Sequence, residues 1–188
     1  MKRKLTHAAA ALTLALTGAQ ATADAVSLQG TELQTNNLQL MVFNFNGLAP
    51  SSGAGATLTV QALGDYNTDF ANEVIDFVKL DGTIHTTNLG PLHSGVVLLN
   101  EDEYYSEWIY TASISEAQLE TLLADMQLQI DVMIGANSGV FTNDPLNRQP
   151  YVRVSFTYDT AAQVIPEPST AALLSAALLC AGWTRRRG

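Results

Sequence analysis

Apolar and polar residues alternate with a period of two along several separate stretches of the chain. In residues 126–134, every second residue is apolar, and Gln127, Gln129 and Asp131 fall between the apolar ones. Because successive side chains of a β-strand point to opposite faces, such a segment forms a strand with one buried and one solvated face. Strands of this kind belong to antiparallel sheets with one face against a core. The pattern therefore predicts an all-β fold.

Seven further stretches have the composition of strands. They are residues 38–45, 58–64, 73–80, 83–89, 95–99, 108–114 and 152–158. Residues 49–55 are rich in Pro, Ser and Gly and are predicted to be a loop, and Asp81-Gly82 is predicted to be a turn. No parallel β-α-β pattern is present. These segments predict an antiparallel β-sandwich of the jelly-roll or immunoglobulin-like kind.

One helix is predicted between the strands. Ser115 and Gln118 have the spacing of a capping box, in which each side chain bonds to the other residue's backbone N–H. Leu119, Leu122 and Leu123 follow at the spacing of one helix face. The sequence therefore predicts one short amphipathic helix across an end of the sandwich.

The first 23 residues have the order of a secretory signal peptide. Lys2, Arg3 and Lys4 precede the apolar residues 5–18, and Ala21-Thr22-Ala23 follows as an A-x-A cleavage site. We predict a signal helix over residues 1–23, exported by the Sec machinery and removed by signal peptidase. The sandwich domain is then predicted to cover residues 24–163.

The last 25 residues, 164–188, have a different design. Pro166 and Pro168 stop any helix or sheet ladder, because both fix φ and lack an N–H donor. Residues 169–184 are uncharged and helix-forming, and would span about 24 Å at 1.5 Å per residue. Three arginines follow, which favour the cytoplasmic side of a membrane. The segment is predicted to contain a short transmembrane helix.

Pro166-Glu167-Pro168, the apolar helix and the cluster Arg185, Arg186 and Arg187 together resemble the PEP-CTERM sorting signal of Gram-negative bacteria. The resemblance implies recognition by exosortase, transient residence in the inner membrane and removal of the tail. It implies delivery to the cell surface or extracellular matrix, often together with exopolysaccharide in biofilms. It implies no single activity for the body. A plain membrane anchor is the alternative for this segment.

The predicted body is strongly acidic. Of the nine Lys and Arg residues only Lys79, Arg148 and Arg153 lie in residues 24–163, against 17 Asp and Glu residues, a formal charge of −14. Such a surface disfavours nucleic acid, since phosphates require cations opposite them. It suits a soluble exported protein or one that binds a divalent cation.

Oxygen-bearing side chains at alternate positions follow the strand predicted over residues 58–64. Asp65, Asn67 and Asp69 are spaced by two, and Glu73 comes four residues later. Calcium takes six to eight oxygen ligands, and a turn with this spacing can supply several. The segment is not an EF-hand, since Phe70 stands where that loop needs glycine. The sequence predicts a calcium site here; the alternative is a polar connection whose side chains bond to their own backbone.

A second acidic segment lies beside aromatic residues. Glu101-Asp102-Glu103 is followed by Tyr104, Tyr105 and Trp108. If these rings were exposed, they could stack on sugars in a carbohydrate-binding module; the alternative is that they belong to the core.

The inventory for catalysis is thin. The body contains two histidines, His85 and His93, no cysteine, and neither a G-x-S-x-G nor an H-E-x-x-H motif. We therefore predict a non-enzymatic surface or matrix protein with no required cofactor. The alternative is a secreted polysaccharide-acting enzyme that uses a pair of carboxylates.

Overall fold

A computed structural model of the chain describes residues 23–66, 71–139 and 146–161. These residues fall within one unit of the chain, Ala23–Gln163. The predicted signal peptide, up to residue 22, and the predicted sorting segment 164–188 with its Pro-Glu-Pro motif and arginines lie outside the described residues. Both stay predictions, as do the domain boundaries. Within the described ranges, no helix has the length and apolar character needed to cross a membrane.

The alternating segments form strands, and a capped segment forms a helix. The elements are β1 (Ala25–Leu33), β2 (Leu40–Asn46), β3 (Ser51–Gly64), β4 (Ile75–Leu80), β5 (Thr83–Leu89), β6 (Val96–Glu101), β7 (Ser106–Ile114), α1 (Glu116–Leu122), β8 (Gln127–Ile134) and β9 (Tyr151–Thr160).

The strands form two antiparallel sheets that share one core. The first sheet has the order β1-β9-β3-β7-β6, and the second has the order β2-β8-β4-β5. Four pairs are nested along the chain: β1 with β9, β2 with β8, β3 with β7, and β4 with β5. The remaining strand, β6, pairs with β7 at the margin of the first sheet. The predicted antiparallel β-sandwich with one helix is confirmed.

The inner faces of both sheets supply the core. On β8 and β9, alternate residues are at most 2% exposed; these are Leu128, Ile130, Val132, Ile134, Val152, Val154, Phe156 and Tyr158. Phe156 lies opposite Leu28 of β1 and Leu58 of β3 in the ladder. Because β9 is paired on both sides, its buried side chains lie well inside the first sheet.

The predicted helix is present with its predicted cap. The Ser115 hydroxyl accepts a hydrogen bond from the Gln118 N–H at 3.4 Å, and the Gln118 side-chain oxygen accepts one from the Ser115 N–H at 3.3 Å. Leu119 and Leu123 are buried in the core. At Gly55 a Cβ atom would lie 2.3 Å from the carbonyl oxygen of Ile114. Glycine at this position therefore allows β3 to approach the junction between β7 and α1.

Strand β1 was not predicted, because its inward positions lose their apolar character halfway along. Val26 and Leu28 are followed at the next alternate positions by Gly30 and Glu32. A Cβ at Gly30 would lie 2.4 Å from a ring carbon of Phe43. Pairing with β9 along its whole length makes this segment a strand despite the broken pattern.

Two local expectations were wrong. Residues 51–55 belong to β3 and not to a loop, since Ser51 pairs with Thr160 and the ladder resumes at Ala56 after an irregularity. Met126 was expected on the buried face of its strand. It lies just before β8 with φ of 61° and is 57% exposed, because the left-handed residue ends the turn after α1.

Candidate functional site

The connection between β3 and β4 brings two of the predicted calcium ligands together. Asp65 directly follows β3, and Glu73 lies two residues before β4. Asp65 is partly buried, and Glu73 is only 7% exposed. Carboxylates are rarely buried without a compensating partner, because removing a charge from water is costly. The end of β3 is therefore the most electrostatically constrained acidic site among the described residues.

The pKa of Asp65 records this constraint. Burial of the carboxyl group and, next, the negative charge of Glu73 raise the pKa of Asp65 from 3.8 to about 6. A hydrogen bond donated by the backbone N–H of Gly139 acts in the opposite direction but does not cancel the rise. At neutral pH the two carboxylates therefore repel each other in partly dry surroundings, which is a setting that a cation would relieve.

The loop after β8 encloses the same site. The side-chain amide of Gln34 donates to the carbonyl oxygens of Ser138 at 2.6 Å and Gly139 at 3.3 Å. The Ser138 hydroxyl donates to the carbonyl of Val74 at 2.9 Å. These bonds tie the end of β1, the start of β4 and the loop after β8 to one another. They hold Gly139 where its N–H reaches Asp65.

This end of the sandwich has an unusually polar interior. Tyr66 and Trp108 are fully buried and meet edge to face, with ring centroids 5.4 Å apart. Burial and the nearby charge of Asp65 raise the pKa of Tyr66, so its phenol stays protonated. Several buried side-chain atoms here have no hydrogen-bond partner among the described residues: Gln34 Oε1, Asp65 Oδ1, Tyr66 Oη, Ser106 Oγ and Trp108 Nε1.

The predicted calcium site is thus placed in part. Asp65 and Glu73 come together, whereas Asn67 and Asp69 lie outside the described residues. The described residues contain no group of three or more His, Cys, Asp or Glu side chains that could hold a metal. Two carboxylates fall short of the six to eight oxygens that calcium takes, so the calcium site stays a prediction.

The second acidic segment makes structural contacts. Asp102 receives a bidentate ion pair from Arg148, with N–O distances of 2.6 and 3.1 Å. Its carboxylate also accepts the backbone N–H groups of Tyr104 and Tyr105. The hydrogen bond from Arg148, with the two backbone bonds, lowers the pKa of Asp102. The segment therefore fastens the turn between β6 and β7 to the chain that leads into β9.

We expect Arg148→Ala to lower the free energy of unfolding by about 1–2 kcal/mol at pH 7, since a bidentate pair at a partly exposed site has this worth. The folded-state pKa of Asp102 is lowered, so the pair's contribution is present above about pH 4 and is lost as the pH falls further. Urea denaturation of both proteins at pH 7 and pH 3 measures this.

Arg153→Ala is the matched control for this prediction. The Arg153 guanidinium lies 5.5 Å from the Tyr151 ring and makes long hydrogen bonds to Thr31 and Gln61. Its loss should cost less and should not depend on pH between 3 and 7. A pH-independent loss in Arg148→Ala would contradict the ion-pair interpretation.

The aromatic rings beside the acidic segment belong mainly to the core. Tyr105 is 1% exposed and Trp108 is fully buried, while Tyr104 is partly exposed. Glu107 accepts hydrogen bonds from the Tyr151 hydroxyl and the Gln61 amide, both at 2.7 Å. Tyr105 and Trp108 are therefore not available for stacking on a sugar at the surface.

The two histidines meet on a third aromatic residue. The ring centroids of His85 and His93 lie 6.5 and 5.4 Å from that of Tyr110. Burial lowers the pKa of His85, and His93 Nε2 lies 3.3 Å from the Thr86 hydroxyl. Beside His85, an open groove of about 340 Å³ runs between β5 and α1. The histidines thus fill the space between the two sheets near β5.

Sequence reasoning found the two acids and missed the groups that enclose them. Gln34, Ser138 and Gly139 are more than 60 residues away from Asp65 or on another strand, and no local pattern connects them. Tyr66 is the one neighbour with a usable signal, because a tyrosine directly after a buried strand tends to continue its core.

No protein-family model matches the chain, and comparison with the curated proteins and with the solved structures also finds no match.

Proposed function

We propose that this chain is an exported, non-enzymatic surface or matrix protein whose sandwich is released outside the cell after exosortase removes its tail. The observation that carries the proposal is the position of the ends of the fold. Strand β1 begins at Ala25, just after the predicted signal peptide, and β9 ends at Thr160, before Pro166. Removing the two terminal segments would therefore cost the fold no strand.

The two ends of the fold also lie side by side. The Thr160 N–H and hydroxyl both donate to the carbonyl of Asp24, at 2.9 and 3.0 Å. Ala25 lies opposite Asp159 in the ladder of β1 and β9. A chain closed in this way can be attached to a membrane at either end, before or after cleavage, without opening a sheet. This supports an export route in which both ends are processed.

The nested strand pairs favour a jelly-roll topology over an immunoglobulin-like one. In a jelly roll a long antiparallel hairpin folds over, so that the first strand pairs with the last and the pairs are nested inward. The pairs β1–β9, β2–β8, β3–β7 and β4–β5 follow that scheme. Strand β6 is then an addition to the eight-stranded plan.

Calcium binding by Asp65, Glu73 and the predicted ligands Asn67 and Asp69 is part of the proposal. Its support is the closeness of two carboxylates and the raised pKa of Asp65. An acidic matrix protein that takes up calcium would suit association with exopolysaccharide. The alternative, a polysaccharide-acting enzyme or a carbohydrate-binding module, loses support from the burial of Tyr105 and Trp108.

The test is replacement of Pro166-Glu167-Pro168 by three alanines in the producing cell. Because alanine allows the helix to extend toward the body, we expect uncleaved protein to stay in the inner membrane. Intact-mass analysis of the membrane and of the exterior measures the outcome. Val164→Ala with Ile165→Ala is the matched control and should be processed normally.

Two further outcomes separate sorting from simple anchoring. Replacing Arg185, Arg186 and Arg187 by glutamine should weaken orientation in the membrane, since the positive charges hold the end inside. If the triple-alanine variant leaves the membrane without its tail at the wild-type rate, the sorting proposal is wrong.

A further inference from the structure

Strand β6 presents aliphatic side chains along the margin of the first sheet. Val97, Leu98 and Leu99 are 59%, 43% and 50% exposed. On one side β6 pairs with β7, and within the described residues no strand pairs with its other side. An edge strand of this type offers both free main-chain groups and apolar surface, and natural proteins usually protect such edges with charge, proline or a covering element.

The exposure of β6 follows from the unequal widths of the sheets. The first sheet has five strands and the second has four. His85 of β5 contacts Tyr110 of β7, so the last strand of the second sheet lies opposite β7. Strand β6 therefore extends beyond the second sheet. Leu98 is aligned with the buried Trp108 but remains 43% exposed, because little of the second sheet covers it.

The same margin carries no formal charge. Residues 83–100, which include β5 and nearly all of β6, contain no Asp, Glu, Lys or Arg. Ile84 and Leu92 of this segment are 58% and 70% exposed. The first charged residue on β6 is Glu101 at its end. In a body of formal charge −14, this margin is a place where two copies can approach without setting carboxylates against each other.

We propose that two copies of this chain pair antiparallel through their β6 strands, making one continuous sheet across a two-fold axis. An antiparallel edge is self-complementary under such an axis. With the axis between Leu98 and Leu99, each Glu101 lies opposite the Val96 of the other copy. The two Glu101 residues are then about 16 Å apart along the strands, at 3.3 Å per residue, whereas parallel pairing would set them side by side.

The chemistry of the margin selects a strand of low charge over other occupants. The exposed side chains are aliphatic, so they lack the flat aromatic faces on which sugars stack. Burying them on two copies, with the main chain of β6, would remove on the order of 1,000 Å² from water, at the lower limit of specific interfaces. We expect a dimer with Kd of about 1–100 µM. The proposal does not depend on export or on the sorting signal.

Salt provides a distinguishing signature. Each body carries a formal charge of −14, so the copies repel at low ionic strength. The Debye length falls from about 30 Å at 0.01 M salt to about 8 Å at 0.15 M. Because the contact itself is apolar and main-chain, added salt should lower Kd, whereas a contact made by ion pairs would weaken.

Leu99→Glu tests the proposal, with Leu40→Glu as its matched control. Both leucines are 50% exposed on edge strands, one on β6 and the other on β2. Glutamate at position 99 would be desolvated near the acidic partner, and should raise Kd at least tenfold, while the control should leave Kd unchanged. Sedimentation velocity of the full-length chain in mild detergent, and of residues 23–163 in buffer, measures Kd; thermal melting verifies that both variants fold.

A wild-type chain that is monomeric at about 0.5 mM, above the weakest Kd expected, would overturn the proposal. Equal weakening by Leu40→Glu, or a Kd that rises with salt, would overturn it too. So would a different protein occupying β6 while the chain itself stays monomeric. If Leu99→Glu does not fold, Val97→Glu replaces it with the same expected rise in Kd.

Discussion

Phe156→Ala should lower the free energy of unfolding by about 3–5 kcal/mol, which is the range for deleting a fully buried phenylalanine. Phe156 is 0% exposed and lies at the middle of β9, opposite Leu28 and Leu58 on its two neighbouring strands. Its removal leaves a cavity between strands that are paired on both sides and cannot collapse easily. A domain of this size has about 5–15 kcal/mol to lose, so the variant should be close to unfolding at 37 °C.

Phe77→Ala is the matched control for this effect. Phe77 lies on β4 but is only partly buried, and Lys79 covers its ring with the ammonium 4.3 Å from the centroid. Its loss should cost less than half as much as that of Phe156. Urea unfolding of residues 24–163 gives both values. Equal losses at the two positions would contradict the assignment of the core to the inner face of β9.

Asp65→Asn should stabilise the protein in a calcium-free buffer by about 1–2 kcal/mol at pH 7. The rise in pKa from 3.8 to about 6 is equivalent to roughly 3 kcal/mol at 1.36 kcal/mol per pH unit, and partial exposure of the carboxyl reduces this. Because the folded-state pKa is raised, wild-type stability falls as the pH rises from about 4 to 6. The asparagine variant lacks this fall and can still accept the Gly139 N–H.

Calcium should reverse the ranking if the proposed site exists. Wild-type protein would gain about 2.7 kcal/mol at a calcium concentration a hundredfold above Kd, and Asp65→Asn would lose most of that gain. Asp159→Asn, at an exposed position on β9, is the control and should change neither value. Melting in calcium and in chelator measures all three proteins. Equal gains in wild type and Asp65→Asn would mean that the ion binds elsewhere.

The strands with continuous alternation were predictable from sequence because alternation is a local property. Residues 127–134 and 152–158 show it without interruption, and both are strands whose buried faces are those predicted. The cap of α1 was predictable for the same reason, since Ser115 and Gln118 bond within one turn. Each of these elements carries its own signal within about ten residues.

The candidate site was only half accessible to such reasoning. Asp65 and Glu73 are close in sequence, so a shared turn could be proposed from their spacing. Gln34 and Gly139 reach the same place from distant parts of the chain. Their meeting depends on β1 and β8 lying beside β3 and β4, which no short segment specifies. The raised pKa of Asp65 likewise required its burial to be known.

By itself, the sequence determined which segments become strands, where the helix starts, and that the body is acidic with few cations, because these follow from side-chain type and spacing. Tertiary structure decided that β1 is a strand, since Gly30 and Glu32 break its pattern and pairing with β9 compensates. It also decided which strands pair and that β6 lies uncovered beside β7. Partner choice is the sum of many weak contacts between segments far apart in the chain, and only the folded core selects among the arrangements that local patterns allow.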